Sequence, residues 1–147
     1  MEDQILDIPT TINRKLHFAG FWIRFVASII DSIIVGGINL MLASSFFSDY
    51  NAFNPPLEAN ILYLIVGLGY FCGMESSGSQ ATLGKLALGI KVGNNKGESI
   101  SFSIALGRYV GKILSALILF IGFMMAGWHH KKQALHDKLA GTYVFYA

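Results

Sequence analysis

The sequence predicts an all-α membrane protein: a small helical bundle of about three hydrophobic segments, with a short β-hairpin in a cytoplasmic loop and a strand at the C-terminus. Three observations carry that expectation. Charged residues are only 14% of the 147, against about 25% in soluble domains, and mean hydropathy is +0.51. Apolar stretches recur at 21–47, 57–74 and 104–127, and roughly 20 helical residues cross a bilayer core. The polar stretches between them hold the turn residues and most of the lysines.

Residues 1–18 form a polar tail. MEDQILDIPTTINRKLH lacks the basic start and short apolar core of a secretory signal. Arg14 and Lys15, beside the first span, place the N-terminus in the cytoplasm. The first span, 21–47, is about 40 Å of helix, yet it contains Arg24 and Asp31. These two lie on nearly one helix face but about 10.5 Å apart along the axis. Arg24 leans towards the N-terminus, away from Asp31, so a direct ion pair is awkward, and the long side chain is expected to snorkel to the headgroups. Asp31, about 15 Å into the helix, is too short to do so. It must be neutral, be paired with another helix or line a wet cavity. Arg24, Ser28, Asp31, Ser32, Gly36, Asn39 and Ala43 form one small, polar stripe. That stripe is expected to pack on protein, with Ile29, Ile30, Ile33, Ile34, Leu40 and Met41 facing lipid.

The stretch 48–56 contains Pro55-Pro56 and no Lys or Arg, so it reads as an outside loop. The second span, 57–74, carries Gly69 and Gly73, a spacing that permits close helix approach. The loop 75–103 holds Lys85, Lys91 and Lys96, which places it inside. Within it Leu86, Leu88, Ile90 and Val92 alternate, Asn94–Gly97 supplies a turn, and Ile100 and Phe102 alternate again, the pattern of a β-hairpin. The third apolar segment, 104–127, has a small-residue face of Gly107, Gly111 and Ser115, with Arg108 and Lys112 on its first two turns. A crossing is expected there. The alternative is a re-entrant course, because the uninterrupted apolar part is only about 15 residues and a crossing would leave Lys131, Lys132 and Lys138 outside. In the tail, 128–147, Thr142–Tyr146 reads as a strand able to pair with Gly89–Val92, which requires both on one side.

Composition also excludes functions. The lone Cys72 allows neither an internal disulfide nor a CxxC site. A net charge of +2, with no basic run interleaved with aromatics, gives no footprint for nucleic acid. His129, His130, His136 and Asp137 cluster, but a spacing of seven puts each helical pair two turns apart, where a metal needs adjacent turns. No metal or other cofactor is expected. Gly78…Gly84-Lys85 departs from a phosphate loop in its glycine spacing and in having Leu86 where Ser or Thr would stand. With no nucleophile–base pair, the chain does not read as an enzyme.

Three stretches taken together resemble the RDD family of small bacterial membrane proteins. They are Ala19-Gly20-Phe21-Trp22-Ile23-Arg24…Asp31, then Thr82-Leu83-Gly84-Lys85…Gly89-Ile90-Lys91-Val92, and Gln133-Ala134-Leu135-His136-Asp137-Lys138-Leu139-Ala140-Gly141-Thr142. Arg24, Asp31 and Asp137 stand at the positions of the one Arg and two Asp that name the family. Leu83 replaces the usual Pro, and Ala81 stands where a Gln is usual. The resemblance implies a multi-pass protein of the bacterial cytoplasmic membrane, of a kind suspected of transport. In that picture Asp31 is the candidate site for a proton or small cation. Arg108 is its candidate partner, Arg24 meets Asp137 if the tail folds back, and His136 and Lys85 are auxiliary. Three short segments leave little room for a two-sided pathway, so a homo-oligomer in the lipid bilayer is expected. The alternative is a non-transporting scaffold or accessory subunit that docks a partner.

Overall fold

A computed structural model describes residues 16–117, 121–128 and 131–147. Helix α1 runs Phe21–Phe46 and α2 runs Leu57–Ser76, about 39 and 30 Å long. Both are long and apolar enough to cross a membrane. The turn between them ends at Pro56, whose φ of −64° leads directly into α2. Five short elements and one longer helix follow: α3 (Leu83–Ala87), β1 (Ile90–Gly93), α4 (Phe102–Leu117), α5 (Ile121–Trp128), α6 (Leu135–Leu139) and β2 (Tyr143–Tyr146).

The sheet organises one end of the molecule. β1 and β2 pair antiparallel, Ile90 opposite Tyr146 and Val92 opposite Val144. The chain entering α1 lies along the other edge of β2. Ala19 donates its N–H to Val144 O at 2.9 Å, and Tyr146 donates to His17 O at 2.9 Å. The start of α1, the α2–α4 loop and the C-terminus are therefore fastened together.

Two expectations are corrected here. The loop does not form its own hairpin. Asn94–Gly97 does turn, with the Gly97 N–H bonded to Asn94 O at 3.1 Å, but no strand follows: Ile100 is buried in the core and Phe102 begins α4. Both edges of β1 are already taken, by β2 and by Gln80, whose carbonyl accepts the Val92 N–H at 2.7 Å. Leu86 lies in α3 rather than in a strand, and Leu88 is its C-cap. The single apolar segment expected over 104–127 is instead two helices, α4 and α5. Because β1 precedes and β2 follows this segment, it begins and ends at the same end of the molecule.

The core is charged and small. Arg108 is the largest fully buried side chain, at 1% exposure, and Glu75, Asp31 and Asp137 are equally buried. Trp22, Ile33, Met41 and Phe46 are 70% or more exposed. In water this distribution would be inverted; in lipid it is the favourable one. On α1, Asp31 and Ala43 are buried as the stripe predicts, and Ala27, outside the stripe, is buried too, but Ser28, Ser32 and Gly36 stay exposed. Nor does the Gly69/Gly73 pair make the close approach: both face open space. It is Gly67 that meets α4, where an added Cβ would lie 2.7 Å from the Tyr109 hydroxyl.

Strand partners in an antiparallel pair have Cα atoms about 4.5–5.5 Å apart, within disulfide reach. Val92→Cys with Val144→Cys, in a Cys72→Ala background, should therefore give an intramolecular cross-link on oxidation, seen as faster gel migration. Absence of that cross-link would restore a crossing third segment.

Candidate functional site

Asp31 and Asp137 play different parts. Asp31 projects from α1 against the loop that leads into α3. Its Oδ1 accepts Tyr70 OH at 2.7 Å and the Gly84 N–H at 2.8 Å, and its Oδ2 accepts Thr82 OH at 2.6 Å. Thr82 is the N-cap position of α3, but its hydroxyl is spent on Asp31. The carboxylate of one helix thus caps another. The fit requires glycine at 84, since a Cβ there would come within 2.3 Å of Ala27 O and 2.9 Å of the Asp31 carboxylate. Leu83, where the family pattern has Pro, begins α3 with its N–H on Tyr70 OH at 3.2 Å, a bond proline could not make. The Gln usual beside Thr82 is replaced by buried Ala81, and Gln80, one residue earlier, bonds Val92 O and Gly97 O at 3.1 Å each.

The ion pairs form a second cluster. Arg108, on α4, donates through Nε to Glu75 at 3.0 Å and through Nη1 to Asp137 and Thr142 OH. Arg24, expected at the headgroups, instead turns inward: it pairs with Asp137 and donates to Ala19 O at 3.0 Å and Lys132 O at 2.6 Å. Five donors in a planar fork let an arginine satisfy several buried acceptors at once, which outweighs snorkelling here. Glu75 accepts from Lys85 as well as Arg108, and from Lys112 at 3.0 Å. Asp137 also accepts the Ala134 N–H at 3.1 Å, closing the first turn of α6. Arg108 does not pair with Asp31, because Glu75 and Asp137 take its guanidinium.

Sequence reasoning missed Glu75, which closes α2 and was assigned to the loop. Its signal was available: α4 carries Arg108 and Lys112 one turn apart on one face, and two cations within an apolar segment demand an acid opposite. His136 sits beside the cluster, Nε2 3.4 Å from Asp137 Oδ1, with its Cα and Cβ against Gly111 of α4. His129 and His130 lie outside the described residues; among those described, no group of three His, Cys, Asp or Glu is placed to hold a metal.

Burial and charge set the titrations outside the long helices. Burial holds the His136 imidazole down at about 3, despite the pull of Asp137. Burial alone would raise the Asp137 carboxyl, but the Arg108 and Arg24 guanidiniums overcome it and hold it below the usual carboxylate range. Burial lowers the Lys85 ammonium to about 8, with Glu75 opposing.

A cavity of about 410 Å³ opens beside both clusters. Its polar wall is Arg24, Asp31, Lys85, Arg108, Lys112 and His136, and its apolar wall includes Phe21, Phe25, Phe71 and Met124. Ser28 and Ser32, the exposed part of the α1 stripe, line it too.

The family model described as "RDD family" matches residues 18–141. The uncharacterized protein YxaI of Bacillus subtilis (strain 168) is 37% identical over 147 aligned residues, covering 87% of this chain and 97% of that one. The uncharacterized membrane protein YteJ of the same organism is 32% identical, covering 86% and 80%. A proline-rich antigen homolog of Mycobacterium tuberculosis (strain ATCC 25618 / H37Rv) is 32% identical over 83 residues, 56% of this chain and 33% of that one. No solved structure matches.

Two outcomes follow. Glu75→Gln removes the acid shared by Lys85, Arg108 and Lys112, of which only Arg108 keeps another, Asp137, and should lower unfolding free energy by about 3–5 kcal/mol, the range for breaking a buried pair, read as a fall in the thermal midpoint in detergent. Acid should also destabilise. Between pH 6.5 and about 3 the unfolded chain binds a proton at His136 that the folded chain refuses, so lowering pH through that window favours unfolding. Asp137 acts in the same direction below its unfolded value of 3.8. His136→Gln should flatten the loss that begins near pH 6.5; an unchanged profile would show that His136 does not set it.

Proposed function

The chain belongs to the RDD family, and from that premise we propose that it is a membrane-embedded binding protein for an anionic ligand, held in the cavity between α1, α2, α4 and α5. The observation that supports this is the charge of the polar wall. Among the described residues, four cationic side chains line the cavity, Arg24, Lys85, Arg108 and Lys112, and the only carboxylate lining it is Asp31. Asp31 is already filled by three donors. A small cation entering here would have to displace those donors while approaching four positive groups, so exchange of cations at Asp31 is the weaker reading. An anion meets cations that share two carboxylates, Glu75 and Asp137, among the four of them. Arg108 makes no hydrogen bond through Nη2 to a described residue, and Lys112 Nζ has one acceptor, Glu75, and a position 4.8 Å over the Phe71 ring.

In the same proposal α1 and α2 cross the bacterial cytoplasmic membrane as a hairpin, and α4–α5 is re-entrant from the cytoplasmic side. Lys85, Lys91, Lys96, Lys131, Lys132 and Lys138 all lie in or next to the segments that the sheet gathers at one end, while 47–56 has no Lys or Arg, the bias that keeps a basic end inside. A second copy has a place to pack: Gly36 and Gly37 on α1 face open space.

Amine acylation tests the anion reading. Phosphate, compared with chloride at equal ionic strength, should slow acylation of Lys112 while leaving exposed Lys96 unchanged. Equal rates at Lys112 would overturn it. Proton movement driven by sodium or potassium in liposomes, abolished by Asp31→Asn at matched folded protein, would return the function to cation exchange.

A further inference from the structure

We infer that the ligand is an anionic acyl lipid, its phosphate or carboxylate head against Arg108 and Lys112 and its chain along Phe25 and Met124. This rests on the anion-binding reading above and adds the class of molecule and its route of entry. The cavity is two-sided in chemistry. Most of its surface is apolar, with Phe21, Phe25, Phe71 and Met124 in the lining, and the guanidinium and ammonium groups contribute a small polar patch. A fully hydrated inorganic anion would use the polar patch and leave the apolar surface wetted, which is unfavourable. An acyl amphiphile covers both.

The mouth points the same way. Phe25 on α1 is 46% exposed and Met124 on α5 is 43% exposed, although both line the cavity. Ser28 and Ser32, one and two turns further along α1, line it and are exposed as well. These are outward faces of helices whose other outward residues, Ile29, Ile33 and Met41, are large and apolar. An opening on such a face admits ligands from the bilayer. Inside, Arg108 lines the cavity, fully buried, with its guanidinium fixed by its bridges to Glu75 and Asp137. A guanidinium fixed in this way favours the planar or trigonal oxygens of carboxylate and phosphate. Basic pockets between helices near the cytoplasmic face are the general means by which membrane proteins hold acidic lipid heads.

Native mass spectrometry of the detergent-solubilised protein, titrated with oleoyl lysophosphatidic acid, tests the inference. One bound lipid per chain is expected. Zwitterionic oleoyl lysophosphatidylcholine should bind markedly less. Lys112→Gln should weaken lysophosphatidic acid roughly fivefold, about the effect of one basic group. Ser32→Trp, at an exposed position, should block the mouth and abolish binding without unfolding the chain. If inorganic phosphate competes as strongly as the lipid binds, the anion site stands and the lipid inference falls. If both lipids bind equally and Lys112→Gln has no effect, the cavity reads only apolar chains and the inference is wrong. If neither lipid nor phosphate binds, both readings fall.

Discussion

The structure depends on the guanidinium of Arg108. It bridges the acid that ends α2, Glu75, and the acid that closes the first turn of α6, Asp137, and so joins elements more than sixty residues apart in sequence. Desolvating one charge costs several kcal/mol even after relaxation, so no member of this cluster is tolerable alone. Each carboxylate here has at least two cations, and Arg108 has both carboxylates. The consequence is mutual dependence: α2, α3, α4 and α6 keep their places only as a set. Such networks fix a single arrangement more than they add net stability. That suits a chain whose buried apolar side chains are mostly alanines.

The same network shapes the cavity. Its cations outnumber its acids, and the surplus faces inward over the space beneath Phe21, Phe25 and Phe71. Had Asp31 joined the ion pairs, the wall would be close to neutral. Instead Tyr70 of α2, with Thr82 and Gly84 at the start of α3, takes Asp31 out of play with two hydroxyls and a backbone N–H. The residues 82–84 thus do two things: they anchor α3 to α1, and they leave the neighbouring guanidinium and ammonium groups without a third acid beside Glu75 and Asp137.

Much of the fold was legible in the sequence, for local reasons. Length and hydropathy define α1 and α2, and β-branched and aromatic residues mark Tyr143–Tyr146 as a strand whose partner at Gly89–Val92 could be named. Helix geometry separates Arg24 from Asp31, and a tail that folds back brings Arg24 to Asp137. What was not legible was competition between distant segments. The alternation through Ile100 and Phe102 is genuine, but β1 has only two edges and both are occupied from elsewhere, by Tyr143–Tyr146 and by Gln80. The cut through 104–127 was similarly hidden, since hydropathy does not register that both ends of the segment are tied to one sheet. Glu75 was misjudged because it stands at a helix–loop boundary, where an acid is ordinarily solvated; only the paired cations on α4 reveal its burial.

The contrast between the two aspartates bears on how membrane acids are read in general. An acid deep in an apolar helix favours a functional interpretation because its cost demands compensation. Here the compensation for Asp31 is complete and local: three donors from α2 and the α3 loop, at 2.6–2.8 Å. An acid so satisfied has little left to offer a passing cation, whose coordination shell would have to replace each of those bonds. The groups with remaining capacity are donors, Arg108 and Lys112, and they lie on the wall that Asp31 helps to line. The proposed anion site therefore follows unspent hydrogen-bonding capacity rather than the most conspicuous buried charge.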